Sequence, residues 1–345
     1  MGVSCRSWGF TPAGAEVQLF TLKNSSGCKA DISTFGAALI GLEIPRKDNT
    51  IDVVLGFDSL EEYMNDGNYM GATVGRVAGR ISNASFNLDS QKIRLDSNEG
   101  PNHLHGGKNG FSSRVWEIAA CNRNDEAPAI TLSLHSPDGT NGYPGNLLVE
   151  TTFTLKGTTL RIDYRAITDQ PTPLNMTGHP YFNLNGNGCG ISSHELKLHA
   201  IKSAATDKAM IPTGEINNIS GTAADFTQFT PLGNTAQDRF YVLDNEQGEL
   251  VPAAIGRCNE SGLEMEILTT QPGMQLYTAD GIAPGTAGKK GSLYGPRYGF
   301  CIEPMGYPDA VNHPEFPSVI LNPGEKYHHS TEYRFRNFTA VPEND

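Results

Sequence analysis

His179 and Glu303 each have the chemistry of a proton-transferring group, and each stands immediately before a proline. His179 precedes a proline in residues 175–184, and Glu303 does so in residues 298–304. A proline disfavours the helical conformation for the residue before it, so both should have an extended backbone. A histidine and a carboxylate held in fixed positions are what general acid–base catalysis needs. We therefore treat His179 and Glu303 as a candidate acid–base pair.

A glycine-rich run at residues 71–81 carries two arginines, Arg76 and Arg80. Its glycine spacing matches neither the dinucleotide-binding nor the P-loop fingerprint, so a nucleotide site is not predicted. Arginine presents several donors in a fixed fork, which makes both side chains candidates for binding an oxygen-rich ligand. We expect one of the two to bind ligand and the other to be a structural salt-bridge partner.

Residues 102–107 contain two histidines, His103 and His105. In an extended segment, side chains two residues apart point to the same side, which would permit a metal site. A metal site of the cupin type would want a glutamate about four residues after the second histidine, where Lys108 and Asn109 stand instead. We therefore predict no metal, with His105 donating to a ligand hydroxyl and His103 supporting the fold.

Two further segments carry groups suited to neutral polyols. Asp238 enters an apolar strand beside Arg239, either as a surface ion pair or as a carboxylate that accepts from sugar hydroxyls. Gln275 and Tyr277 alternate with apolar neighbours and should face away from them. The chain has no nucleophile elbow and no cysteine beside an obvious histidine, so nucleophilic hydrolysis is not favoured.

Composition narrows the class of partner. The formal charge of −12 over 345 residues argues against nucleic acid and anionic membrane surfaces. No stretch approaches the roughly 20 apolar residues of a membrane-spanning helix, and no signal peptide is expected. The six cysteines are scattered without a C-x-x-C pair, which is typical of free thiols in a reducing compartment. A cytoplasmic location is predicted.

Alternation of apolar and polar residues dominates the chain. It predicts a hairpin over residues 147–166, a second over residues 86–95, and a closing strand over residues 327–335. Ser59 and Glu62 match a capping box, which predicts one short helix through about Asp66. No composition shift marks a boundary, so we predict a single all-β antiparallel domain over residues 1–345, a sandwich or a barrel-like stack.

Taken as a set, these segments resemble the aldose 1-epimerases, the galactose mutarotases. The most specific matches lie in the family's order and are residues 102–107, 178–184, 270–278 and 303–317. The resemblance covers nearly the whole chain. It implies a single large antiparallel β-sandwich of the galactose mutarotase-like supersandwich type, with few short helices, an open cleft and no cofactor.

The resemblance also implies roles. Glu303 would act as general base and His179 as general acid while the α and β anomers of a neutral hexose, such as galactose or glucose, interconvert. The positions that match sugar-binding residues are Arg80, His105, Tyr181, Asp238 and Gln275. This chemistry needs a protonated imidazole beside an ionised carboxylate, and the pKa values of the free side chains already have that order.

The chain departs from the family pattern at two positions. Gly79 stands before Arg80, and Gly178 before His179, where the family usually has asparagine. We expect two amide side chains to be missing near the cleft, each worth about 1 kcal/mol of hydrogen bonding to a bound polyol.

Other functions fit part of this pattern. A hexose-phosphate epimerase of the same fold would need a basic clamp, for which only Arg76, Arg80 and Arg239 are near the predicted site. A non-catalytic sugar-binding protein would not need both Glu303 and His179, and a scaffold without ligand leaves the polar set unexplained. A small-molecule aldose is the expected partner of a monomer or weak homodimer.

Overall fold

Segments in which apolar and polar residues alternate form paired strands along the chain. The computed structural model describes residues 1–46, 49–186, 188–233, 235–245 and 248–338. The predicted hairpin joins Leu147–Lys156 to Thr159–Thr168 through a turn in which Gly157 has a φ of 55°. That left-handed conformation has no Cβ penalty in glycine. The second predicted hairpin pairs Ser85–Leu88 with Gln91–Arg94, so both hairpins are confirmed.

The strands are short and numerous. In chain order the first fourteen are β1 Gly2–Phe10, β2 Glu16–Lys23, β3 Lys29–Ser33, β4 Ala38–Pro45, β5 Thr50–Asp52, β6 Thr73–Val74, β7 Arg80–Ile81, β8 Ser85–Leu88, β9 Gln91–Arg94, β10 His103–Leu104, β11 Glu117–Asn122, β12 Ala129–Ser136, β13 Leu147–Lys156 and β14 Thr159–Thr168. The others are β15 Thr172–Pro173, β16 Thr177–Gly178, β17 His194–Leu198, β18 Lys202–Thr206, β19 Pro212–Asn218, β20 Thr230–Pro231, β21 Asp238–Val242, β22 Val251–Cys258, β23 Leu263–Thr269, β24 Gly273–Tyr277, β25 Thr286–Ala287, β26 Leu293–Tyr294, β27 Cys301–Met305, β28 Ile320–Leu321 and β29 Tyr327–Asn337.

Three sheets carry the architecture. One has nine strands in the order β11-β12-β13-β14-β29-β23-β22-β17-β20, and two have five, in the orders β1-β2-β3-β4-β5 and β19-β18-β21-β24-β27. Every pairing between these strands is antiparallel within the described residues. The predicted all-β antiparallel fold is confirmed.

The main core lies between sheets. Met274 and Leu276 of β24 and Ile302 of β27 belong to the same buried cluster as Ile267 and Tyr333 of the nine-stranded sheet. Side chains alternate along a strand, so the opposite face of β24 and β27 points away from this core. The prediction that residues 1–345 form a single domain stays a prediction.

The helices are short. The capping box predicted at Ser59 forms, since the Ser59 Oγ accepts from the Glu62 N–H and Glu62 accepts from the Ser59 N–H, and the helix α1 spans Leu60–Asn65. Single-turn 3₁₀ segments lie at Ser82–Ala84, Phe111–Ser113, Thr140–Gly142, Lys289–Gly291 and Ala310–Asn312. Over the described ranges, no helix has the length and apolar character to cross a membrane.

Candidate active site

The site is built on the face of β21, β24 and β27 that points away from the core. Gln275 of β24 pairs with Glu303 of β27, and Asp238 of β21 pairs with Tyr277 of β24. All four of these side chains line one pocket of about 190 Å³ that opens to solvent.

His179 reaches the same pocket from the loop after β16. Its backbone N–H donates to the Ala72 carbonyl, and its carbonyl accepts from the Gly71 N–H, at 2.9 and 3.0 Å. The φ of Gly71 is +70°, and a Cβ there would lie 2.2 Å from the Leu39 carbonyl oxygen, so this position requires glycine. The chain thus fixes the histidine from both sides of its backbone.

The two predicted acid–base residues meet. His179 Nε2 lies 3.6 Å from Glu303 Oε1, although 124 positions separate them in the sequence. Both are buried, with 4% and 2% of their surface exposed. At this separation the titrations of the two groups are coupled.

The order of the two pKa values differs from our expectation. Burial lowers the pKa of His179 to about 4. Burial also raises the pKa of Glu303 well above its usual range; the nearby Asp238 adds to this rise and Arg80 opposes it. The expected order was wrong because desolvation disfavours the charged form of both groups. Burial therefore favours the neutral form of both side chains, a carboxylic acid beside a neutral imidazole.

Asp238, Gln275 and Arg80 form the polar wall of the pocket. The Gln275 amide donates to Asp238 at 2.5 Å. Arg80 donates twice to Glu99, from Nε and Nη2, with both distances 2.7 Å. These contacts fix the orientations of the Asp238 carboxylate and the Arg80 guanidinium, and both groups line the pocket.

His105 lines the pocket with its ring perpendicular to that of His179, at 5.4 Å between centroids. Its Nδ1 accepts from the Gly79 N–H at 3.2 Å, and burial lowers its pKa well below the usual value. The ring is therefore neutral with its proton on Nε2, which makes it a donor to a ligand oxygen.

Three pocket groups have the spacing of a metal site. Ligand atoms of His105, His179 and Glu303 lie within 4.8 Å of one another. A metal ion needs a nitrogen lone pair, whereas the hydrogen bond from Gly79 leaves the proton of His105 on Nε2. This donor set fits a hydroxyl group better than a metal ion.

His103 does not share this pocket. Its Nδ1 contacts the Asp96 carbonyl at 2.6 Å, and its Nε2 contacts the Tyr143 hydroxyl at 2.7 Å, so both ring nitrogens are used within the fold. The expectation that His103 and His105 point to the same side was wrong, because His105 has a φ of 52° and the segment is not extended there.

The two arginines of the glycine-rich run have different surroundings: Arg80 lines the pocket, and Arg76 is buried in the fold. Arg76 is 2% exposed and donates to hydroxyl and carbonyl oxygens of Ser136, Pro137, Pro144, Gly145 and Thr172. Burial lowers its pKa to about 10. Arg76 is structural, as expected of one of the pair, but its acceptors are neutral oxygens and not the carboxylate of a salt bridge.

Tyr181 lies beside the histidine, with 5.0 Å between the two ring centroids. Its hydroxyl donates to the Asn68 carbonyl at 2.8 Å, which leaves only the hydroxyl oxygen to accept from a ligand. Tyr277 lies on the same side of the pocket, with its ring centroid 6.2 Å from that of Tyr181 and 6.5 Å from that of His179.

The two glycines that replace the family's asparagines have different surroundings. Gly79 lines the pocket with a φ of +75°, and a Cβ there would lie 3.2 Å from Pro308. A Cβ at Gly178 would lie 2.9 Å from the Tyr164 hydroxyl, in the core. The expectation of a missing amide in the cleft was therefore wrong for Gly178.

Sequence reasoning missed several residues of the site. The rings of Tyr69 and His105 pack edge to face, with 4.8 Å between their centroids. Glu99 orients Arg80 through hydrogen bonds, and Cys301 Sγ contacts the His179 ring. Tyr69 and Glu99 stand in loops without alternation, so no pattern marked them. Cys301 stands two residues before Glu303, and that spacing on a strand would have placed both on one face. The expectation of no cysteine beside a histidine was wrong for this reason.

This fold and pocket define an antiparallel β-sandwich protein with a buried histidine–glutamate pair among polar side chains. The family model for aldose 1-epimerase matches residues 18–334. The chain is 40% identical to galactose mutarotase of Bos taurus, over 95% of this chain and 97% of that protein. It is 33% identical to aldose 1-epimerase of Escherichia coli K12, over 94% and 96%.

A solved structure agrees. The crystal structure of an aldose epimerase homologue from C. elegans superposes with a TM-score of 0.85 at 30% identity, over 92% of this chain and 98% of that one. The chain belongs to the aldose 1-epimerase family.

Proposed function

We propose that this protein is an aldose 1-epimerase that interconverts the α and β anomers of a neutral hexose such as galactose or glucose. One observation carries the proposal. His179 Nε2 and Glu303 Oε1 lie 3.6 Å apart in a pocket whose other polar groups are suited to hydroxyls. Family membership and the mutarotase relatives support the same reaction.

The reaction is a pair of proton transfers. Glu303 takes the proton of the anomeric hydroxyl while His179 Nε2 donates a proton to the ring oxygen. The bond between C1 and the ring oxygen breaks, and the carbonyl bond at C1 forms. Rotation about the C1–C2 bond turns the other face of the aldehyde toward the hydroxyl, and the reverse transfers close the ring as the other anomer. These steps use only protein groups and sugar atoms.

The pair holds one proton throughout this cycle. Ring opening starts from the ionised carboxylate and imidazolium and leaves a carboxylic acid and a neutral imidazole. Burial favours the second arrangement, which is the one that ring closure needs. The Arg80 charge favours the ionised carboxylate, and hydroxyls of a bound sugar would add hydrogen bonds to it.

The polar wall of Arg80, Asp238 and Gln275, together with His105, would hold the sugar through its hydroxyls. It offers donors at His105 and Arg80, an acceptor at Asp238, and both kinds at Gln275. Tyr181 offers an acceptor oxygen beside the acid. Among the described residues that line the pocket, Arg80 is the single lysine or arginine, and Glu99 already balances its charge. This favours a neutral sugar over a hexose phosphate.

Optical rotation of freshly dissolved α-D-galactose and α-D-glucose tests the proposal. We expect the protein to accelerate the approach to the equilibrium rotation, equally with and without a chelator. No acceleration with either sugar would favour a non-catalytic sugar-binding protein. A far higher kcat/KM with glucose 6-phosphate than with glucose would favour a hexose-phosphate epimerase. A cytoplasmic location and a monomeric or weakly dimeric state stay predictions.

A further inference from the structure

One strand contacts both nitrogens of the His179 ring. Glu303 Oε1 lies 3.6 Å from Nε2, and Cys301 Sγ lies 3.6 Å from Nδ1. The two residues stand two positions apart on β27, so their side chains leave the same face. The imidazole is thus held between a carboxyl group and a thiol from a single rigid element.

The location of the proton on a neutral imidazole decides what each nitrogen can do. After Nε2 has given its proton to the sugar, the ring must keep a proton on Nδ1, and it then has a lone pair on Nε2 for the return transfer. A partner that accepts from Nδ1–H stabilises this tautomer. Cys301 Sγ lies 3.6 Å from Nδ1 and can accept its hydrogen bond, since a thiol sulfur is a weak acceptor.

We infer that Cys301 is a positioning residue that keeps the proton of neutral His179 on Nδ1 and so reserves Nε2 for exchange with the sugar. The kinetic consequence rests on the proposed function. The tautomer itself is a property of the protein without sugar and is independent of it.

The protonation state of the thiol agrees with this assignment. Burial, together with the charges of Glu303 and Asp238, raises the pKa of the Cys301 thiol well above its usual range. The thiol therefore keeps its proton and remains a neutral acceptor, and it does not form the thiolate–imidazolium pair of a cysteine nucleophile.

The direct test is the tautomer of His179 by NMR of protein labelled with ¹⁵N in its histidine rings, at pH 7 without sugar. The His179 signals are those absent from the His179→Gln spectrum. We expect the Nδ1–H tautomer in the wild type and a shift toward the Nε2–H tautomer in Cys301→Ala. An Nε2–H tautomer in the wild type, or an unchanged Nδ1–H tautomer in Cys301→Ala, would overturn the inference.

Kinetics separate this role from simple packing. Cys301→Ala should lower kcat about fivefold with KM unchanged, the factor that corresponds to one net hydrogen bond of about 1 kcal/mol. Cys301→Ser keeps an acceptor atom and should recover part of the loss. The matched control is Cys258→Ala, which removes another fully buried free thiol outside the pocket and should leave kcat unchanged.

The outcomes are distinguishable from failure of the proposed function. If the wild type does not accelerate mutarotation, the NMR result still decides the tautomer. A kcat in Cys301→Ala equal to that of Cys258→Ala, or a serine variant no faster than the alanine variant, would overturn the role of Cys301 while leaving the reaction in place.

Discussion

The two faces of β24 and β27 have opposite chemistry at nearly equal burial. Leu276 and Ile302 face the main core, where each is 0% exposed among apolar neighbours. Glu303, on the other face, is 2% exposed, and within the described residues its Oε2 has no hydrogen-bond partner. Burying such a group without a partner lowers stability. One face of the same strands thus stabilises the fold, and the other carries the buried carboxyl group for which we propose a catalytic role.

The largest expected effect comes from Glu303→Gln, which removes the proton acceptor from the pocket face. We expect kcat to fall by a factor of about 10² to 10⁴, because general acid–base groups contribute that much. The free energy of unfolding should not fall, since an unpartnered carboxyl group is replaced by a neutral amide of the same shape. Polarimetry and urea unfolding measure the two quantities. A variant with wild-type kcat would rule out Glu303 as the base.

The converse change on the core face is Ile302→Ala. Truncating a fully buried isoleucine typically costs about 2–5 kcal/mol through lost burial and a residual cavity. We expect a loss of that size in urea unfolding, with kcat of the folded protein within a few-fold of the wild type. A stable but inactive Ile302→Ala variant would show that the two faces are not separable as described.

The two glycines beside the site offer a smaller contrast. Gly178→Asn should lower the free energy of unfolding by about 1–3 kcal/mol, the usual cost of overpacking, because its side chain meets Tyr164 in the core. Gly79→Asn should lower stability by less than Gly178→Asn, because asparagine adopts a left-handed backbone more readily than most residues and its Cβ would lie 3.2 Å from Pro308. It should lower KM by up to about fivefold through a new hydrogen bond to the sugar. Equal effects of the two substitutions on KM would contradict the placement of Gly178.

Buried histidines make the free energy of unfolding depend on pH. Burial lowers the pKa of His179 and His194 to about 4 and that of His329 to about 3. Unfolded imidazoles titrate near pH 6.5, so the unfolded chain binds more protons below that pH. The stability contributed by these neutral rings is complete above pH 6.5 and is lost as the pH falls toward 4. We expect each ring to contribute a decline of about 1.4 kcal/mol per pH unit in that window. Equal unfolding free energies at pH 7 and pH 5 would contradict this.

Much of the fold followed from the sequence because alternation and turn residues are local signals. The hairpin of β13 and β14, the closing strand β29 and the capping box at Ser59 were all readable in this way. The convergence of His179 and Glu303 was predicted from their prolines and from the family resemblance.

The remaining features depend on tertiary structure. The left-handed backbone of His105 turned its ring away from His103, which the residue types alone do not indicate. The reversed pKa order of the acid–base pair follows from burial, and burial of a polar group cannot be read from alternation. The contact of Cys301 with His179 depends on how a loop and a strand meet.

The most direct test of the central claim is whether Glu303 and His179 act as one proton-exchanging unit. Polarimetry on Glu303→Gln, His179→Gln and the double variant measures this with α-D-galactose. Residues that act as a unit have non-additive effects, so we expect the double variant to be no more than about tenfold slower than the slower single variant. Losses in the double variant that multiply those of the two single variants would show that the residues act independently and would contradict the account.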